Sequence, residues 1–523
     1  MARRAGIVAV FTLGSRILGY VRDAVLAHAF GAGVALDAFV AAQTIPNVFR
    51  RLVAEGTLMI AFVPILTEVR SRDGHPGARR FVASVLGALL PVLVGLTALG
   101  VLAPGLLVEA FAGGFDAERA QLAQNMTRVM MPYLFFVSLV AVASGALNAY
   151  GIFAAPAAAP MLLNVAVIGV VLLFRDRFPT PIVAAAWGVL LGGVLQALLQ
   201  FGPLLRVGLA TPPRWAPNDP DLRLLLRRMV PALFGVGVYQ LNLIVIRQIA
   251  SYLPFGQLSC YFYASRLEEF ALGVFAVSIS IAALPMLSQH AVDRDRQAFA
   301  STFDQALRAT LFVTVPATAV LVGLGKPVVG TLFRYGAFDV ESARLTVSLL
   351  RIMAVALVPI GFVRVLVPTY YAVGDTRSPV WAAFGSLLTT LGLGLGLGTR
   401  FEIVGLTTAT TVAALVQAAL LGVWLKGRIL DSVGEAKDGQ GFGLPWGQLF
   451  RCALAIAPWV LLGAWVGPSL DWYGAPAWTR ASALSLGLLG LSVGYLGTAR
   501  LLGVAEVSLL LNAVGRRLRA RTP

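Results

Sequence analysis

Charge is scarce in this 523-residue chain: Asp, Glu, Lys and Arg make up 13% of it, against about a quarter in soluble domains. Cysteine is almost missing. Cys260 and Cys452 both fall in apolar stretches, which leaves no disulfide framework. His28, His75 and His290 are isolated from one another, so no metal cluster is expected and no cofactor is assigned. Acid is scarcer than base, with 25 Asp and Glu against 41 Lys and Arg, a net charge of +16. These shortages exclude an ordinary soluble enzyme and a metal-folded domain.

What fills the chain is apolar. Hydrophobic residues make up 58% and the mean hydropathy is +0.81. The 54 glycines and 28 prolines are spread through apolar runs, as membrane helices tolerate and soluble ones do not. The expected fold is an all-α polytopic membrane protein. Apolar runs long enough for a hydrocarbon core predict about 14 spans, at 6–28, 36–66, 80–108, 122–150, 157–174, 182–205, 226–252, 258–287, 300–325, 342–372, 379–398, 403–426, 447–467 and 478–501. Arg16, Arg22 and Asp23 interrupt the first run, and no small-residue cleavage site follows before Asp37. The N-terminus therefore reads as a retained span and not as a signal peptide. Residues 504–521 read as a basic amphipathic tail on the membrane surface.

Lysine and arginine bias sets the orientation: even-numbered loops plus both termini hold roughly 21 of them and odd-numbered loops roughly 7, which predicts cytoplasmic ends. The chain also repeats. Ala61-Phe-Val-Pro-Ile-Leu-Thr-Glu68 is echoed by Ala282-Ala-Leu-Pro-Met-Leu-Ser-Gln289, Gly151 and Pro156 by Gly374 and Pro379, and Phe115-Asp116 by Phe338-Asp339. Each echo lies about one repeat of six spans downstream, the architecture of a transporter whose halves share a binding site. The expected organisation is an N-terminal lobe at 1–208, a C-terminal lobe at 209–428, and an added pair of spans with the tail at 429–523. The lobes, two pseudo-repeated six-helix bundles, would enclose a central cavity.

Several arginines lie inside the spans, where each costs about 2.5–3.5 kcal/mol at the bilayer centre. They must face water, each other or a charged ligand. On span 1, Arg16 and Asp23 share a helical face and Arg22 lies about 120° away; either arginine could pair with Asp23. Pro46 is expected to break span 2. Beyond it, Arg51 and Glu55 stand at i,i+4 and can neutralise one another, which leaves Arg50 for a ligand. Asp37, at the start of span 2, reads either as a helix cap or as a gate residue. On span 8, Ser259, Arg266 and Glu269 fall near one face, and Arg266 with Glu269 also reads as a local ion pair. Arg247 and Arg364 are weaker candidates. The excess of arginine suggests an anionic ligand, because the guanidinium fork offers paired donors to phosphate.

The same residues carry a resemblance. Ser15-Arg-Ile-Leu-Gly-Tyr-Val-Arg-Asp-Ala24, Phe30-Gly-Ala-Gly, Pro46-Asn-Val-Phe-Arg-Arg and Ala61-Phe-Val-Pro-Ile are similar to the N-terminal signature of the MurJ (MviN) lipid II flippases. That family lies in the multidrug/oligosaccharidyl-lipid/polysaccharide exporter superfamily. Gly192-Gly-Val-Leu-Gln, Tyr263-Ala-Ser-Arg-Leu-Glu-Glu-Phe and Gly374-Asp-Thr-Arg-Ser-Pro extend the resemblance over the whole chain. It implies a flippase of the bacterial inner membrane that carries undecaprenyl-pyrophosphate-linked peptidoglycan precursor outward for cell-wall synthesis. It also implies that Arg16, Arg22, Arg50 and Arg266 line the cavity, with Asp37 implicated; Ser15 and Ser259 are further substrate-binding candidates, and Asn47 a weaker one. The added spans 13 and 14 would form a groove for the polyprenyl tail, in a monomer associated with cell-wall machinery. Two departures stand out. Ser265 replaces an acid that some members carry before the span-8 arginine. Span 11 offers only Ser386, Thr389 and Thr390, with Asn242 in span 7, for the sodium site that some members build.

Two other readings compete. A membrane-bound glycan polymerase needs an acid/base pair or a metal near a large outer loop, and Asp116, Glu118 and Asp339 form no such constellation. A drug exporter for cations would favour acids in its cavity, which the arginine excess opposes.

Overall fold

The computed structural model describes residues 2–55, 57–430, 433 and 445–509, and among these every regular element is helical. Among the described residues, nine helices are long and apolar enough to cross a membrane, or ten when the bent pair Pro220–Val230 and Gly235–Ser251 counts as one span. The protein is thus a multi-pass membrane protein. Two of the nine stretches, Ala61–Leu102 and Arg377–Leu425, run to 42 and 49 residues. Straight helices of that size would reach about 63 and 74 Å, twice a hydrocarbon core. Neither is straight: Gly74 (φ 68°) and Glu402 (φ 52°) break the helical dihedrals. At the second break a Cβ on Gly405 would stand 2.1 Å from the carbonyl of Leu397, so the chain doubles back tightly. Arg377–Leu425 therefore covers two of the spans expected from sequence, 379–398 and 403–426, whereas Ala61–Leu102 covers most of 80–108 and only the end of 36–66, whose bulk lies on Val34–Arg50.

The break expected at Pro46 is absent. Helix α2 (Val34–Arg50) runs through it, and the irregular turn comes later, as a π-helical segment at Arg51–Glu55. The proline removes one backbone donor and displaces nearby carbonyls. The side-chain amide of Asn47 donates to the carbonyl of Gln43 (2.8 Å), and the Thr44 hydroxyl to that of Val40 (2.7 Å). Neither carbonyl is that of Ala42, which Pro46, with no N–H, leaves without its helical donor.

The chain forms two compact units, Met1–Ser259 with Tyr335–Asp339, and Cys260–Arg334 with Val340–Pro523. The first holds α1 (Ala2–Phe30), α2, α3 (Thr57–Leu102), α4 (Pro104–Ala112), α5 (Ala117–Ala149), α6 (Ala154–Phe174), α7 (Val183–Arg206) and α8 (Pro220–Ser251). Residues 207–219 are tied to α3. The Arg214 amide donates to the Ala83 carbonyl (2.9 Å), Ser84 donates to Asp219 (2.9 Å), and Arg72 pairs with Asp221 (2.9 Å). Asp219 caps α8 through the amides of Asp221 and Leu222, and Pro220 occupies the first helical position, as expected of a residue with no N–H to leave unsatisfied.

In lipid, helices associate through close packing of small residues. Gly188 and Gly192 on α7 show this against α6: an added Cβ would lie 2.7 Å from the Cα of Val167 and 2.8 Å from that of Leu163. Gly193 faces Tyr133 of α5 in the same way, at 2.7 Å. Gln196, one turn on, is buried and donates to the Ala159 carbonyl (3.0 Å). Gly192→Leu forces α6 and α7 apart, and overpacking of this kind costs about 1–3 kcal/mol or more. The expected result is a lowered melting temperature in detergent, which a thermal scan of the variant beside the wild type measures.

The second unit holds the long helix α9 (Gln257–Val292) beyond Ser259, then α10 (Arg296–Gly323), α11 (Gly325–Leu332), α12 (Val340–Ala372), α13 (Arg377–Leu425), α14 (Trp446–Val466) and α15 (Ala477–Leu501). The last two pack on α10 and α11. Buried Arg480 of α15 donates to the carbonyls of Gly330 (2.7 Å), Arg334 (3.2 Å) and Trp472 (3.2 Å). A guanidinium at the C-terminal end of α11 also complements that helix's dipole.

Candidate functional site

Three groups of the sequence-predicted residues can be followed in the structure. The first centres on α1. A cavity of about 490 Å³ lies among α1, α5 and α6, and its wall includes Thr12, Ser15, Arg16, Ser144 and Asn148. Arg16 is half-buried there and has no ion pair or hydrogen bond among the described residues. Arg22 differs. Its Nε and Nη2 donate to Asp23 Oδ1 at 2.9 and 2.7 Å, and its Nη1 to Asn164 Oδ1 at 3.1 Å. The side chains of Arg22 and Asp23 are only 12% and 3% exposed. Of the two pairings left open for Asp23, the structure contains the one with Arg22. Their charges cancel, so Arg16 supplies the uncompensated positive charge of this cavity.

Asn164 is a residue that the sequence reading missed. It sits alone among apolar side chains of α6, accepts from Arg22, and donates through Nδ2 to the Ser15 carbonyl (3.0 Å). A buried amide in an otherwise apolar span was the available signal.

The second group surrounds Asp37, which is fully buried in the first turn of α2. It does not cap its own helix, whose cap is Gly33. Its Oδ2 accepts from the Gly256 amide (2.6 Å), and its Oδ1 from the Ser259 amide (2.8 Å) and the Ser259 hydroxyl. The carboxylate thus occupies a helix N-terminus, where backbone N–H groups favour an anion. Ser259 is itself fully buried and committed to this contact. Arg119 stands 4.0 Å from Asp37, pairs with Asp116 (2.8 Å), donates to the Leu253 carbonyl (3.3 Å) and lies over the Phe115 ring (4.9 Å). Nothing in the spacing of the sequence marked Arg119.

The surrounding loops are tied through their backbone amides. The Gly113 amide donates to Gln248 (3.0 Å), the Gly114 amide to Ser251 (2.9 Å), and the Ala337 amide to the His28 carbonyl (3.0 Å). Gly336 takes a φ of 54° where a Cβ would collide with His28. The Arg119 amide hydrogen bond, aided by the guanidinium and opposed by partial desolvation, holds the Asp116 carboxyl below its ordinary value of 3.8. A lowered carboxyl stabilises the fold above that ordinary value, and the contribution goes only as pH falls through the lowered one. This end of the first unit therefore stays latched at neutral pH.

The third group belongs to the second unit. Arg266 pairs with Glu269 across one turn of α9 (2.6 Å) and lies 4.8 Å from the Phe262 ring. Their side chains are 31% and 56% exposed. Ser265 donates to the Phe262 carbonyl (2.8 Å). Arg50, Arg51, Asn47, Arg247 and Arg364 are half-buried in their helices. The pairing of Arg51 with Glu55 lies outside the described residues, because the Glu55 side chain is not among them. Of the span-11 hydroxyls, Thr389 donates to the Gly385 carbonyl (2.8 Å), while Ser386 and Thr390 are buried. Among the described residues, no three His, Cys, Asp or Glu side chains gather as metal ligands would. An apolar crevice of about 350 Å³ opens between α14 and α15, against Leu324 and Pro327.

Arginines held half-buried inside the spans of a helical membrane bundle are the mark of a polytopic transporter's substrate path. An inward-facing multidrug-resistance MATE family transporter of the MOP superfamily shares its fold, with a TM-score of 0.69 at 18% identity over 80% of this chain and 95% of that one. A structure described as "Lipid II flippase MurJ, inward closed conformation" matches with a TM-score of 0.76 at 24% identity, over 93% of this chain and 97% of that one. The sequence profile described as "Lipid II flippase MurJ" matches residues 26–461. The lipid II flippase MurJ of Burkholderia cenocepacia is 36% identical over 90% of this chain and 91% of its own length. The probable lipid II flippase MurJ of Vibrio cholerae is 36% identical over 95% of each. The chain belongs to the MurJ lipid II flippase family.

Proposed function

We propose that this protein translocates lipid II, the undecaprenyl-pyrophosphate-linked peptidoglycan precursor, across the bacterial cytoplasmic membrane. The observation that carries the reading is an uncompensated Arg16, in a cavity it shares with Ser15, Ser144 and Asn148, of a chain 36% identical to a lipid II flippase along nearly its whole length. Arginine suits a diphosphate because its charge persists where water is sparse and its donors come in pairs. Arg50 adds to the positive charge of the first unit, and Arg22, held by Asp23 and Asn164, keeps α1 in register with α6.

The cycle is alternating access between two repeated lobes, with Asp37 and its partners latching one end while the other admits the head group. No bond is made or broken. The polyprenyl tail stays in lipid and runs along the apolar crevice of α14 and α15. Both termini face the cytoplasm, and the protein works as a monomer. An outward-moving diphosphate is driven by the membrane potential, worth about 2.3 kcal/mol per charge per 100 mV.

The test is complementation. A strain depleted of its own lipid II flippase is expected to grow and keep its shape when this chain is expressed, and to lyse with an empty vector. Lysis in both, with the chain inserted in the membrane, overturns the proposal.

A further inference from the structure

A second cavity, of about 380 Å³, lies in the first unit between α3, α5 and α7. Its walls are apolar: Val82 and Leu86 from α3, Val140 and Ala143 from α5, Phe201 and Leu205 from α7. Phe201 and Leu205 are each more than half exposed, so the crevice opens toward the surrounding membrane. Leu209, Ala210 and Thr211 close one end of it. At that end the apolar surface gives way to arginine. Arg79 lies one helical turn before Val82 on the same face of α3, and Arg206 follows Leu205 directly. Arg214 is fixed nearby by its amide bond to the Ala83 carbonyl (2.9 Å).

All three arginines are exposed, and none has a side-chain hydrogen bond or ion pair among the described residues. Three acids of this end are already engaged: Asp73 with Arg72 and Arg80, Asp221 with Arg72, and Asp219 with Ser84 and the start of α8. Trp215, 69% exposed, follows Arg214, and tryptophan marks the headgroup level of membrane proteins. A slot for hydrocarbon that ends at three unengaged guanidinium groups and an interfacial indole matches one kind of molecule.

We propose that this crevice is a binding site for an anionic glycerophospholipid, with one acyl chain between α3, α5 and α7 and the phosphate among Arg79, Arg206 and Arg214. The site is separate from the Arg16 cavity and does not depend on the translocation reading. Clustered basic residues at the membrane surface attract anionic lipids, and the apolar slot adds selectivity for a chain over a free phosphate.

Native mass spectrometry of the full chain in detergent, titrated with phosphatidylglycerol, phosphatidylcholine or glycerol phosphate, tests this. Phosphatidylglycerol is expected to bind about 10- to 100-fold more tightly than phosphatidylcholine, and glycerol phosphate not measurably. The triple variant R79Q/R206Q/R214Q, changed only at exposed side chains, should lose that preference. Ala143→Phe, which fills the slot, should weaken both lipids. Equal binding of the two lipids, an unchanged preference in the triple variant, or comparable binding of glycerol phosphate each overturns the assignment. So does lipid binding that is unaffected by Ala143→Phe.

Discussion

Asp37→Ala is expected to destabilise the first unit by about 3–5 kcal/mol, the cost of removing one partner from a buried charged network. The carboxylate accepts two backbone amides and a hydroxyl and stands 4.0 Å from Arg119. Alanine leaves the Gly256 and Ser259 amides without their acceptor in a site that water does not reach, and it deprives Arg119 of one of its two acids. Asp37→Asn keeps the shape and one acceptor oxygen but turns an NH2 toward donors, so its loss should fall between wild type and alanine. Thermal unfolding in detergent measures both. The same variants should translocate poorly even where they insert, because the contact ties the start of α2 to residues 256–259. An alanine variant that melts with the wild type would show that the contact contributes nothing.

The second large effect concerns Arg22. Arg22→Ala strands Asp23, whose side chain is 3% exposed, and a buried carboxylate without its partner costs several kcal/mol. The single variant should therefore accumulate poorly in the membrane. Removing both charges in Arg22→Ala/Asp23→Ala relieves that penalty, because deleting a buried ion pair outright costs far less than breaking it. Membrane level, read by immunoblot, should recover in the double variant. If the single and double variants accumulate equally, Arg22 is not held chiefly by Asp23. Translocation per inserted molecule then reads separately what Arg22 contributes beyond insertion.

Much of this could be read before any coordinates. Scarce charge and long apolar runs dictate the membrane class, and arginines inside those runs point to an anionic ligand. What escaped the sequence reading depends on contacts between distant residues. Asp37 and Ser259 are 222 positions apart, and no local pattern tells that the acid serves another helix instead of its own. Asn164 meets Arg22 across 142 positions. The continuation of α2 through Pro46 is likewise something that a rule for proline alone does not anticipate. Helical phase also failed to choose between Arg16 and Arg22 as the partner of Asp23, since a long side chain reaches a neighbour 100° away on the helix. The glycines of Gly192-Gly-Val-Leu-Gln were visible as a motif, but their separate contacts with α6 and α5 were not.

Reconstituted lipid II translocation by Arg16→Ala, compared with wild type at equal inserted protein, bears most directly on the cationic cavity. Arg16 has no structural partner among the described residues, so the variant should insert and melt normally. Its translocation rate should fall about 10- to 100-fold, the worth of a charge-assisted contact to phosphate, with partial recovery in Arg16→Lys. An Arg16→Ala protein that moves lipid II at the wild-type rate would contradict the account.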